Sequence, residues 1–102
     1  MRLHASDAVG IAQRIGRESF LTDRTMQHAV IRCLTVIGEA ANRVSADMRA
    51  ALPEIEWSEA VGLRNVLVHD YQRIDLVRVW TIVQDDLPPL LSALNAHLGT
   101  ID

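Results

Sequence analysis

Residues 22–44, TDRTMQHAVIRCLTVIGEAANRV, decide the fold. Met26, Val30, Leu34, Ile37, Ala41 and Val44 recur at steps of three and four, which gathers them on one stripe of an α-helix. Thr22 or Asp23 supplies a side-chain oxygen to cap that helix, accepting one of the N–H groups that a first turn leaves unpaired. The spacing predicts a long helix from there to about Val44.

The same period continues outward. A first helix is expected over roughly residues 3–16, with Leu3, Val9, Ile11, Ala12 and Ile15 as its apolar members and Gly16 weakening its end. Ser45 is placed to cap a short helix that ends near Leu52, before Pro53, and Ser58 to cap another that ends near His69. Asp75 is placed to cap the last, whose stripe is Leu76, Val79, Trp80, Val83, Leu87, Leu90 or Leu91, Leu94 and Leu98. Pro88-Pro89 would kink or interrupt it, since proline removes a donor and crowds the preceding turn. No alternating strand pattern, repeat, low-complexity tract or linker breaks the series. The expectation is an all-α, up-and-down bundle of four to five helices in one domain spanning 1–102.

A bundle this small often completes its core by pairing. Gly38, Ala40 and Ala41 on the long helix would let another helix approach closely, either from a second copy in a homodimer or from within the same chain.

The composition, 49% hydrophobic and 23% charged over 102 residues, is too apolar for a disordered chain. No apolar run nears the roughly 18 residues of a membrane span. The N-terminus lacks the apolar core of a signal peptide, so a cytoplasmic location with no membrane partner is expected. Cys33 sits within the apolar pattern and reads as core. A net charge of −3 argues against coating nucleic acid by bulk electrostatics, though a local cationic site for RNA stays open. All ten basic residues are arginine. No short helix–turn–helix with a basic recognition face is evident, which disfavours a DNA-binding regulator.

The polar cluster that stands out is Arg64-Asn65, then His69-Asp70-Tyr71 after Val66-Leu67-Val68. Arginine grips phosphate through a planar fork of donors, and histidine moves a proton near neutral pH. Together they suit phosphodiester cleavage without a metal. On a helix Asn65 and His69 share a face, whereas Arg64 and His69 point about 140° apart. Either the helix ends before His69, or the working pair is assembled between two copies, because a two-fold interface brings the same patch together from both. The bland reading is a surface ion pair and a helix cap. Glu39 and Asp70 are acid–base candidates, but residues of this kind are more often solvated or ion-paired. His4, His28, His69 and His97 are too scattered for a metal site, and Gly62 and Gly99 form no phosphate loop.

The segments Val36-Ile37-Gly38-Glu39-Ala40-Ala41, Leu52-Pro53-Glu54-Ile55-Glu56-Trp57 and Gly62-Leu63-Arg64-Asn65-Val66-Leu67-Val68-His69-Asp70-Tyr71 resemble the HepT-like branch of the HEPN superfamily. Asp75-Leu76-Val77-Arg78-Val79-Trp80 and Asp86-Leu87-Pro88 continue the likeness. The resemblance implies a homodimeric all-α bundle with the arginine–histidine motif at the dimer cleft, acting as a metal-independent endoribonuclease without a cofactor. It further implies a toxin of a type VII toxin–antitoxin pair, neutralised by a minimal nucleotidyltransferase that transfers AMP to the motif tyrosine. On this sequence Arg64, Asn65 and His69 are then the catalytic set and Tyr71 the modified residue. An adenylate there would bring bulk and negative charge beside His69 and repel substrate phosphates. Glu39 is a candidate to hold Arg64 by an ion pair, and Arg43 and Arg73 are candidates to widen the phosphate-binding surface. The alternative is a non-catalytic helical module that binds a nucleotide or partners the nucleotidyltransferase.

Overall fold

The computed structural model describes residues 1–66 and 75–98 (the backbone alone at 65, 66 and 98). Helix α1 is Arg2–Thr22, α2 is Arg24–Asn42, α3 is Ala46–Ala51 and α4 is Trp57–Val66. After residues 67–74, α5 (Leu76–Thr81) runs through a π turn (Ile82–Asp86) into α6 (Leu87–Leu98), making one continuous rod. Among the described residues there is no strand, so the all-α bundle expected from the period is the fold observed.

The apolar stripe of α2 is its anchor. Val30, Leu34, Ile37 and Ala41 are fully buried, and Cys33 lies among them. Burial pushes the Cys33 thiol above its ordinary pKa, and the nearby Asp7 charge adds to the rise. One core joins this stripe to Ala5, Ala8 and Phe20 of α1 and to Val79, Val83 and Leu87 of the last rod. A second closes the far end of α2, where Ala41 meets Leu52, Ile55, Trp57, Ala60 and Leu94.

Three caps sit where the sequence placed them. Asp23 accepts the Met26 N–H at 3.1 Å, Ser45 that of Met48 at 3.2 Å, and Asp75 that of Arg78 at 3.1 Å. Where α1 meets α2, the buried Gln27 amide donates to the Phe20 carbonyl at 2.9 Å, satisfying one of the acceptors that the end of α1 leaves open. At the other end of α2, Arg49 donates to the Ala41 carbonyl at 2.9 Å and lies over the Trp57 ring.

Three boundaries differ from expectation. Gly16 does not end α1; it breaks it at φ 76°, ψ 170°, and a further helical turn follows. That extra turn buries Phe20 against the Trp80 ring, centroids 5.5 Å apart, which holds the chain on course past the break. Helix α4 starts at Trp57, with the Glu56 carbonyl accepting from the Ala60 N–H at 3.0 Å, so Ser58 lies inside the first turn rather than capping it. The buried Trp57 indole, which donates to the Leu52 carbonyl at 3.1 Å, fixes that start. Pro88-Pro89 does not interrupt the last rod. The turn before the prolines widens instead, with the Leu87 N–H reaching the Ile82 carbonyl five residues back. The expected end of α4 near His69 falls outside the described residues. Among the described residues no helix is long and apolar enough to cross a membrane.

Candidate functional site

Arg64 stands in the last described turn of α4, where that helix crosses α2. The crossing is unusually close because α2 presents Gly38. A Cβ built there would lie 2.7 Å from the Arg64 backbone nitrogen and 2.9 Å from the Arg64 Cβ. Of the two readings of the small residues on α2, the intramolecular one therefore holds for Gly38, and Ala41 is likewise buried within the chain. That the glycine packs directly on the candidate phosphate-binding arginine was not legible beforehand. Its signal is a lone glycine, poor for helix propensity, in the middle of a strong apolar stripe.

The residue after Gly38 reaches the arginine head. The Glu39 carboxylate lies 3.6 Å from Nη1 of Arg64, so the expected ion pair is present. At that distance it is a charge contact rather than a formed hydrogen bond. Glu39 is half exposed and Arg64 about a third, which makes the pair weak in water. Nε of Arg64 is buried and finds no acceptor among the described residues. The guanidinium is thus located by its backbone and by a loose carboxylate, with donor capacity that the described residues do not consume. Such a group can exchange the carboxylate for a phosphate.

The other candidates distribute as follows. Asn65 follows Arg64 on α4, described as backbone only. Arg43 occupies the C-terminal cap of α2, exposed, one turn beyond Glu39. His69, Asp70, Tyr71 and Arg73 lie outside the described residues. Among the described residues, no group of three or more histidine, cysteine or acidic side chains is placed to hold a metal ion.

A groove of about 490 Å³ opens between α4 and the π turn. Glu54, Glu56, Glu59, Asp85 and Asp86 rim it, against the single cation Arg78. Five carboxylates repel a phosphate chain, so this groove is not where a polyanion would sit. The arginine at the α2–α4 crossing is the better anion site despite its smaller relief.

The family model for HepT-like ribonucleases matches residues 1–96. "Putative RNase MJ1380" of Methanocaldococcus jannaschii is 38% identical over 86 residues, covering 84% of this chain and 79% of its own length. "Putative RNase MJ1216" of the same organism is 31% identical over 99 residues, covering 97% and 82%. "Probable ribonuclease HepT" of Thermococcus cleftensis is 41% identical over 73 residues, covering 72% and 66%. No solved structure matches. A helical bundle that offers an under-used arginine on its fourth helix, matched by this family across all but its last residues, belongs to the HepT-like ribonuclease family.

Proposed function

We propose that this chain is a metal-independent endoribonuclease whose site is completed between two copies of itself. The observation that carries the reading is Arg64, fixed at the α2–α4 crossing with donors to spare. The family match and the ribonuclease names of its relatives support RNA as the substrate.

RNA brings its own nucleophile, so the protein need only place and neutralise. His69 takes the proton of the 2′-hydroxyl, whose oxygen attacks the adjacent phosphorus. The bond from phosphorus to the 5′-oxygen breaks, and that oxygen receives a proton from the imidazole of the second copy or from water. The products are a 2′,3′-cyclic phosphate and a 5′-hydroxyl. Acid–base help of this kind is worth about 10²–10⁴ in rate. Arg64 stabilises the charge gathered on the phosphorane, and Asn65 orients the phosphate or His69. One chain supplies a single arginine and a single imidazole to this motif. A two-fold pairing doubles both and removes the angular mismatch between Arg64 and His69 on one helix.

The same reading makes the protein a toxin controlled by a nucleotidyltransferase. Transfer of AMP from ATP to the Tyr71 hydroxyl, with release of pyrophosphate, would place an anion two residues from His69 and exclude RNA.

The test is cleavage of single-stranded RNA by purified protein in EDTA. Wild type should yield cyclic-phosphate ends. His69→Ala and Arg64→Ala should lose activity while keeping the helical content and the oligomeric state of wild type. Undiminished cleavage by His69→Ala removes the mechanism. An inert wild type that still binds nucleotide supports the non-catalytic module instead. Mass measurement after co-expression with the nucleotidyltransferase should show one added AMP, absent in Tyr71→Phe.

A further inference from the structure

The solvent face of α2 carries a regular row of polar groups. Arg24, His28, Arg32, Thr35, Glu39 and Arg43 follow at steps of four, four, three, four and four, one stripe of a helix. All but Thr35 are exposed, and the stripe lies opposite buried Val30, Leu34, Ile37 and Ala41. Its extent from Arg24 to Arg43 is about 28 Å at 1.5 Å per residue.

The three arginines of this row have no structural employment. Arg24, Arg32 and Arg43 make no ion pair or side-chain hydrogen bond among the described residues. Arg49, by contrast, is consumed in holding the α2 terminus to Trp57, and Arg78 sits in the acidic groove. Several carboxylates are engaged elsewhere. Five of them ring the groove between α4 and the π turn, and Asp23, beside Arg24, turns its carboxylate to the Met26 N–H. Glu39 is the row's single acid, and it faces Arg64. A chain of net negative charge has thus collected, on one ridge that runs to its phosphate-binding candidate, guanidinium groups unpaired among the described residues.

We propose that this ridge is a phosphate track: Arg24 and Arg32, with His28 between them, bind the sugar–phosphate backbone of single-stranded RNA and lead it to Arg64. One row of cations along one helix matches one backbone. Guanidinium forks on phosphate oxygens carry no base information, so the track adds affinity without sequence preference. The proposal rests on the reading of the protein as a ribonuclease, and it places substrate contacts far from the reacting phosphate.

The test compares wild type with Arg24→Gln/Arg32→Gln and with Arg14→Gln/Arg17→Gln. The second pair removes the same charge from exposed positions on α1, off the ridge. The probe is a labelled, 2′-O-methylated single-stranded RNA long enough to span α2, with Kd measured by anisotropy over a salt series. Each lost phosphate contact lowers the slope of log K against log salt by about 0.7 on a single strand, so the α2 pair should lower it by about 1.4. Its Kd at low salt should rise about tenfold. With cleavable RNA, KM should rise while kcat holds, and cleavage of a dinucleotide should not change. Equal slopes for wild type and the α2 pair overturn the track. So does an equal fall in the α1 pair, which would make the effect one of net charge, or a changed oligomeric state in the α2 pair, which would make the ridge a contact between copies. Wild type that binds with the predicted slopes but cuts no RNA overturns the ribonuclease reading and spares the track.

Discussion

Replacing Gly38 by alanine sets two effects of opposite sign against each other. An alanine in a helix interior is favoured over glycine by about 1 kcal/mol. Here, however, the new methyl would sit 2.7 Å from the Arg64 nitrogen, 2.9 Å from its Cβ and 3.2 Å from its Cα. Two of those three atoms are backbone, so no side-chain rotation relieves the clash. Ordinary contact begins near 3.4 Å, so α4 must retreat by roughly 0.7 Å. Overpacking of this kind costs about 1–3 kcal/mol. With backbone as the obstacle the upper half of that range applies, leaving a net loss of about 1–2 kcal/mol. For a chain of this size each kcal/mol moves Tm by about 4–8 °C. Gly38→Ala should therefore melt about 4–16 °C below wild type by circular dichroism at matched protein concentration. Gly62→Ala is the internal control: its methyl meets nothing within 4 Å, so propensity alone acts and Tm should rise. Because the retreat carries Arg64 with it, RNA cleavage should also fall by an order of magnitude or more, as a displacement of about 1 Å can cost 10²-fold. A Gly38→Ala protein as stable as Gly62→Ala would show that the crossing is looser than described and that Gly38 does not seat the arginine.

Gly16→Ala should destabilise for a different reason. The site is spacious, but φ 76° with ψ 170° is a region that L side chains avoid at about 1–3 kcal/mol, so Tm should drop despite the free volume, and an unchanged melt would refute the assigned backbone. Cys33 supplies a pH signature. Its thiol ionises less readily in the folded chain than in the unfolded one, so the unfolded state sheds the proton first as pH climbs through the ordinary value of 9.0. Stability contributed at this position is fully present below that pH and is lost above it. Urea unfolding between pH 8 and 10 should show wild type weakening more than Cys33→Ala; parallel declines would remove the thiol as the cause.

Much of the bundle was legible because its signals are local. Asp23, Ser45 and Asp75 each precede an apolar period, and a short side-chain oxygen in that place has one good use. The stripe from Met26 to Ala41 likewise names its own buried face. Where the boundaries differ, a contact that no single residue displays decides, across the bundle in one case and within a few residues in the others. Gly16 looks like a terminus until Phe20 finds Trp80 across the bundle. Ser58 looks like a cap until the Trp57 indole, reaching Leu52, starts the helix two residues earlier. Pro88-Pro89 looks like a break until the donors before it regroup. In the site, the Arg64–Glu39 pair was anticipated, whereas the crossing that brings the two helices together depends on a missing side chain, which a sequence displays only as a glycine. The placement of His69, Tyr71 and Arg73 belongs to residues outside the description, and their roles rest on the proposal.

The π turn at Ile82–Asp86 amounts to one surplus residue wound into an otherwise regular rod. Its cost is local, but its effect is a phase shift of about 100° for everything downstream. Val79 lies before the turn, Val83 within it and Leu87 and Leu94 after it, and all four are buried, so the surplus is absorbed within the turn. Excising one of the exposed residues Gln84, Asp85 and Asp86 would remove the surplus and the phase shift together, so Leu87 and Leu94 would keep facing the core. The turn is therefore a place where the chain could lose one codon without turning the helix that follows it.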